Sequence, residues 1–147
     1  MVREPVDMVD DDELAARLRI AVTRLSRRLR QESMTGISPS HEAALATVSR
    51  LGHPTLGELA AVEQVQPPTM TRIVASMEAA GLLRRHGDAD DRRVIRVAIT
   101  SDGRKTLERI RTRKNAYIGR QLVRLSDGER EYAATVVSLL ERFVEGG

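Results

Sequence analysis

The sequence predicts a mainly α-helical chain with one small β-hairpin, and three observations agree on it. Apolar residues recur at spacings of three and four along most of the chain, the period of a helix with one buried face. Between residues 82 and 99 the period switches to two, the signature of strands. Gly, Pro and hydroxyl residues stand where these stretches should start and stop. With 147 residues the chain is long enough for one domain with its own core.

The first helix is expected from about Asp10 to Ser33. Asp11, Asp12 and Glu13 suit the positive end of its dipole, and Leu14, Leu18, Ala21, Leu25 and Leu29 form its stripe. Thr35-Gly36 ends it. Ser38 reads as an N-cap with Pro39 at the first helical position. The second helix then turns Ala44, Leu45, Val48 and Leu51 inward and stops at Gly52-His53-Pro54. Thr55 caps a short third helix, Leu56 to about Glu63, with Leu59 and Ala60 inward. After a turn at 64–66 the fourth helix runs from Pro67 to about Ala80 on Met70, Ile73, Val74 and Met77, and Gly81 is placed for a left-handed C-cap.

Two strands are expected next, over 82–86 and 94–99, joined by the polar loop Gly87-Asp88-Ala89-Asp90-Asp91-Arg92-Arg93. Thr100 or Ser101 caps a long fifth helix to about Arg124, with Leu107, Ile110, Ile118 and Leu122 in its stripe. Ser126 and Glu129 form a capping-box pattern. The sixth helix follows, with Ala133, Val136, Val137, Leu140, Phe143 and Val144 on one side.

Composition narrows the function. Net charge is +3, but residues 1–13 set one cation, Arg3, against six acids, a net of −5 that leaves +8 on the rest. A basic body points to a polyanionic partner. Aromatics are 2% with no Trp, which disfavours single-strand binding by base stacking. There is no cysteine, so disulfides, thiolate metal sites and thiol redox sensing are excluded. His41, His53 and His86 have no metal-ligand spacing, and no P-loop or G-x-G-x-x-G is present, so no enzyme, cofactor or metal site is expected. No apolar run approaches the roughly 18 residues of a membrane span, and the acidic start is unlike a secretory signal, so the expected location is cytoplasmic.

The order helix, turn, helix, Gly, strand, basic loop, strand is that of a winged helix-turn-helix. Its second helix fits the DNA major groove, about 12 Å wide. The polar side of the fourth helix offers Gln66, Thr69, Thr71, Arg72, Ser76 and Glu78. Arg72 is long enough to reach a guanine edge or a phosphate. Alone, this side is better read as the solvated face of an amphipathic helix. The wing is more telling, with Asp88, Asp91, Arg92 and Arg93 within six residues. A carboxylate two residues before an arginine can hold its guanidinium in a fixed pose, so Asp91 is expected to position Arg93 for the minor groove. The competing reading is a surface ion pair worth under about 1 kcal/mol.

At these residues the chain resembles the MarR family of bacterial regulators. The resemblance is carried by Leu59-Ala60, by 69–74 and Met77-Glu78, by Ala80-Gly81-Leu82-Leu83-Arg84-Arg85, by Asp88 to Arg93, and by Ile99-Thr100-Ser101-Asp102-Gly103. These match the family's G-L-[IV]-x-R, D-x-x-D-x-R and L-T-x-x-G segments. Two departures are visible. The fourth helix opens Gln66-Pro67-Pro68 where a Ser near the cap is frequent, and His41 stands where Gln is common. The resemblance implies one domain over 1–147. Within it, 38–100 would be the DNA-binding part, and 10–35 with 101–145 the helical dimerisation part. It also implies a homodimer on a pseudo-palindromic double-stranded operator. The full set of candidate DNA-binding residues is Ser38, Gln66, Pro67, Pro68, Thr69, Thr71, Arg72, Ser76, Arg85, Asp91, Arg92 and Arg93. A small-molecule effector would sit between the two parts, with Leu25, Leu29, Met34, Ile37 and His41 as candidate walls, although each also reads as simple core.

Two rival readings use the same module. One is a sequence-independent architectural DNA binder, with steep salt dependence and little site preference. The other is a protein-binding winged helix, disfavoured because such an interface favours exposed aromatics and Met over an arginine-bearing wing.

Overall fold

The computed structural model describes residues 10–146, so Arg3, Glu4 and Asp7 of the acidic start lie outside the described residues. Six helices and a two-stranded antiparallel hairpin follow the expected order: α1 (Asp11–Ser33), α2 (Pro39–Leu51), α3 (Leu56–Val62), α4 (Pro67–Ala79), β1 (Leu83–Gly87), β2 (Ile95–Ile99), α5 (Ser101–Leu122) and α6 (Asp127–Glu145).

The helix boundaries have local chemical causes. Ser38 accepts from the backbone N–H of His41 with Pro39 at the helix start, and Thr100 accepts from Gly103 N–H. Thr55–Glu58 and Ser126–Glu129 form reciprocal capping boxes. At the end of α4, Leu82 N–H donates to the Met77 carbonyl and Gly81 N–H to that of Glu78, with Gly81 at φ 77°. This pairing closes the helix with a left-handed glycine. It also moves the first strand one residue beyond expectation, because Leu82 N–H is already used. The second strand starts at Ile95 for the same kind of reason: Val94 N–H donates to the Asp91 carbonyl inside the loop.

The core belongs to the winged part. Leu45 and Val48 of α2, Leu59 of α3, Met70, Val74 and Met77 of α4, Leu83 of β1 and Val97 of β2 are all essentially inaccessible. The backbone of the α2–α3 turn joins the sheet, since Val97 N–H donates to the Pro54 carbonyl and Thr55 bridges Arg96. The hairpin is thereby fastened to the helix-turn-helix at its base while its tip stays outside.

The terminal helices differ. α1 packs along α5, but α6 buries none of its residues and leaves Val136, Val137 and Phe143 exposed. Two residues expected inward are exposed. Leu51, 42% accessible, lies in the last turn of α2, where the chain leaves the core at Gly52. Leu122, 40% accessible, lies at the end of α5, beyond the last buried position of that helix, Ile110. Leu14 and Leu25 of α1 are likewise uncovered within one chain.

Candidate nucleic-acid interface

α4 presents two faces. Met70, Ile73, Val74 and Met77 are buried, while Thr69, Arg72 and Ser76 share an exposed face at helical spacing, with Thr71 beside it. Gln66 is the N-cap but makes no side-chain capping bond, so its amide is free. The helix start is unusual as an anion site. Pro67 and Pro68 have no N–H, and the N–H groups of Thr69 and Met70 both reach back to the Gln66 carbonyl, at 2.9 and 3.1 Å. Backbone donors that ordinarily cradle a phosphate at a helix N-terminus are therefore absent or engaged. Polar contacts offered by this helix start thus fall to side chains. Thr71 is partly committed, its hydroxyl donating to the Pro67 carbonyl at 3.0 Å.

The hairpin tip is organised around two aspartates. Asp88 Oδ2 accepts from the N–H groups of Asp90 and Asp91, each at 3.1 Å, which folds the loop back on itself. Asp88 Oδ1 accepts from Arg96 Nε, and Arg96 Nη1 donates to the His53 carbonyl at 2.9 Å. Arg96 thus ties loop, second strand and α2–α3 turn into one unit. The Asp88 carboxyl is held below the usual carboxylate range, first by the Arg96 bond and then by the two loop N–H groups.

Asp91 serves the other side of the loop. Its Oδ1 accepts from Arg93 N–H at 3.0 Å and from Arg93 Nε at 3.3 Å. The Arg93 side chain is nevertheless 91% accessible. The carboxylate thus grips the guanidinium from one edge, through Nε and, at 3.5 Å, through Nη2 to Oδ2, while the side chain as a whole stays open to solvent. Arg92 beside it is exposed as well.

Two candidates have structural work of their own. Arg85 donates through Nε and Nη2 to Glu78 Oε1, at 3.2 and 2.9 Å, and its N–H donates to Glu78 Oε2. This triple contact fastens β1 to α4, raises the arginine's pKa and lowers that of the glutamate, so neither residue is a free probe on the polar face. Ser38 is spent on capping α2, with its hydroxyl also at 2.5 Å from His41 Nδ1. Sequence reasoning missed Arg96 and the His53 carbonyl. The available signal was an arginine between apolar residues in a strand, eight residues after an aspartate.

The five candidate effector walls are not gathered around one cavity within the single chain. Met34 ends α1 in the left-handed region at φ 38° and is 81% accessible, and Leu25 is exposed. Ile37 packs against the core. A cavity of about 220 Å³ between α1, α2 and α5 is lined instead by Ser26, Arg30, Pro39, Glu42, Ala43, Ala46 and Lys114. No helix among the described residues is long and apolar enough to cross a membrane, and no three metal-ligating side chains converge among them.

Comparison with known proteins agrees with this architecture. The MarR family model matches residues 37–95, from just before α2 to the start of β2. The chain is 33% identical to the HTH-type transcriptional regulator MT0903.1 of Mycobacterium tuberculosis over 94% of this chain and 98% of that protein. It is 24% identical to the HTH-type transcriptional repressor MdtR of Bacillus subtilis over 94% and 92%. Among solved structures, a crystal structure from Pseudomonas aeruginosa superposes with TM-score 0.82 at 34% identity, covering 94% of this chain and 99% of that one. A MarR family protein from Bacillus stearothermophilus gives TM-score 0.79 at 25% identity, covering 91% and 94%. With an exposed arginine-tipped wing beside a polar recognition helix, and with whole-length relatives of this kind, the chain belongs to the MarR family of DNA-binding, winged-helix transcriptional regulators.

Proposed function

We propose that the chain is a non-enzymatic repressor that binds a pseudo-palindromic double-stranded operator as a homodimer and is released by a small-molecule effector. The observation that carries the DNA reading is Arg93, anchored by Asp91 and projecting from the wing beside the exposed Thr69–Arg72–Ser76 face. In this reading α4 lies in the major groove, with Arg72 and Gln66 at base edges, while Arg93 enters the flanking minor groove, where the negative potential is strong. A structural neighbour of 20% identity and TM-score 0.70, a MepR variant of S. aureus, was solved bound to an oligodeoxyribonucleotide, which supports DNA binding by this fold.

The dimer reading rests on the uncovered apolar faces of α6 and α1, with Val136, Val137, Phe143, Leu14 and Leu25. The effector reading is assigned to the junction of α1 and α2, with Leu25, Leu29, Met34, Ile37 and His41 as its walls once a second chain covers them. Two modules related by a two-fold axis would address half-sites about one helical turn apart, roughly 34–36 Å. Selection of bound fragments from random DNA tests this. An enriched inverted repeat with that spacing is expected. Retention of fragments without sequence enrichment would replace it with the architectural reading.

A further inference from the structure

We propose that a recess behind the wing is a binding site for a small oxyanion, a compact phosphate- or carboxylate-bearing molecule. The recess has a volume of about 320 Å³, at the lower end of the range for small-molecule pockets. It lies where α2, the two strands of the hairpin and α5 meet. Ser49 and Gly52 come from the end of α2, Arg84 from β1, and Arg104 from the first turns of α5. Ala98, buried and opposite Arg84 in the strand register, also borders it, with Ile99 beside it in the chain. His53 completes the rim, its Nδ1 engaged with His86 at 3.0 Å.

The lining contains two guanidinium groups, a hydroxyl and no carboxylate. Three arginines of the hairpin have an acidic partner, Arg85 with Glu78, Arg93 with Asp91 and Arg96 with Asp88, while Arg92 at the exposed tip has none among the described residues. Arg84 and Arg104 have none among the described residues, although both border the same cavity. Two like charges bordering one recess repel, a cost that a bound anion relieves, and a guanidinium matches the forked geometry of phosphate and carboxylate oxygens.

The recess faces away from the DNA-reading helix. In the antiparallel register Arg84 lies opposite Ala98 on one face of the hairpin, whereas Arg85 lies opposite Val97 on the other and bonds to Glu78 of α4. A duplex held by α4 and the wing tip therefore meets the opposite side. An anion bridging Arg84 and Arg104 would join the wing to α5, the helix leading out of the winged part, and so bias the position of one against the other.

Binding of inorganic phosphate, pyrophosphate and succinate to the full chain, read by calorimetry without DNA, tests the site separately from the operator reading. Sodium chloride at matched ionic strength is the control. Saturable binding is expected, weakened about tenfold or more in Arg84→Gln and in Arg104→Gln, the scale for losing one charged hydrogen-bond partner. Arg109→Gln, on the same helix outside the recess, should bind as the parent does. Heat no greater than the chloride control, or equal binding in all three variants, overturns the proposal. A second arm measures the salt dependence of operator binding. An unchanged slope in Arg84→Gln is expected, whereas a fall of about one would mark Arg84 as a DNA-phosphate contact and overturn the free-anion site.

Discussion

A β-carbon placed on Gly103 would lie 2.1 Å from the carbonyl oxygen of Leu82. The two residues meet where the wing begins and α5 starts, and Thr100 stitches the same junction. Its N–H donates to the Leu82 carbonyl at 3.1 Å, its hydroxyl donates to the Gly81 carbonyl at 2.6 Å, and that hydroxyl accepts from Gly103 N–H at 3.0 Å. The G-L-L and I-T-x-x-G segments, 19 residues apart at the bonded pair Gly81 and Thr100, are two halves of one joint.

Gly103→Ala therefore sets two effects against each other. Helix propensity favours alanine by about 1 kcal/mol. The clash is with backbone, which cannot swing aside as a side chain can, and overpacking of this kind costs typically about 1–3 kcal/mol and sometimes more. We expect the clash to win and the melting temperature to fall. A rise in Tm would show that β1 and α5 separate at no cost.

Acid should loosen the wing before it unfolds the core. Asp88 has a folded pKa depressed below its unfolded value, chiefly by Arg96. Such a group stabilises above the unfolded pKa, and its contribution fades as pH drops through the folded one. Below the usual aspartate range, the N–H groups of Asp90 and Asp91 should lose hydrogen-exchange protection while that of Val97, bonded to Pro54, persists. Asp88→Asn should show the loosened loop already at neutral pH. Equal protection in the variant and the parent would count against this role.

The DNA contacts should separate by variant. Arg72→Ala is expected to cost about 1–3 kcal/mol and relax preference at one base position. Arg93→Ala should weaken binding at every site, most where the minor groove is narrow. Asp91→Ala should give a milder form of the same defect, because the arginine remains but loses its anchor. All three side chains are solvent-accessible, so folding should be intact. Affinities measured at one fixed salt concentration decide the matter, and unchanged binding in both arginine variants would move the protein-partner reading ahead.

Assembly can be read by light scattering. The parent should have about twice the 16.3 kDa chain mass at micromolar concentration. Val137 is uncovered within one chain, so Val137→Asp should leave the single-chain fold in place. If a second chain covers that position, an unpaired carboxylate there is costly and the mass should fall toward one chain. A parent of monomer mass would rule out the dimer.

The sequence by itself determined what depends on neighbours along the chain. The helix boundaries at Ser38, Thr55, Thr100 and Ser126, the left-handed Gly81 and the buried stripe of α4 were all legible there. So was the Asp91–Arg93 contact, because two residues of separation leave the carboxylate little else to meet. The family resemblance was legible for a related reason, since the joint at Gly103 constrains residue types at fixed positions. Only the tertiary structure decided which charges are already spent. Arg85 pairs with Glu78 and Arg96 with Asp88 and the His53 carbonyl, while Arg84, one residue from Arg85, keeps its charge free among the described residues. It also decided that Leu51 and Leu122 end outside the core. The physical reason is common to both. A charge or an apolar face specifies only a need for a partner, and the partner that meets it lies far along the chain, 43 residues away for Arg96 and His53, where the strand pairing and helix packing bring it.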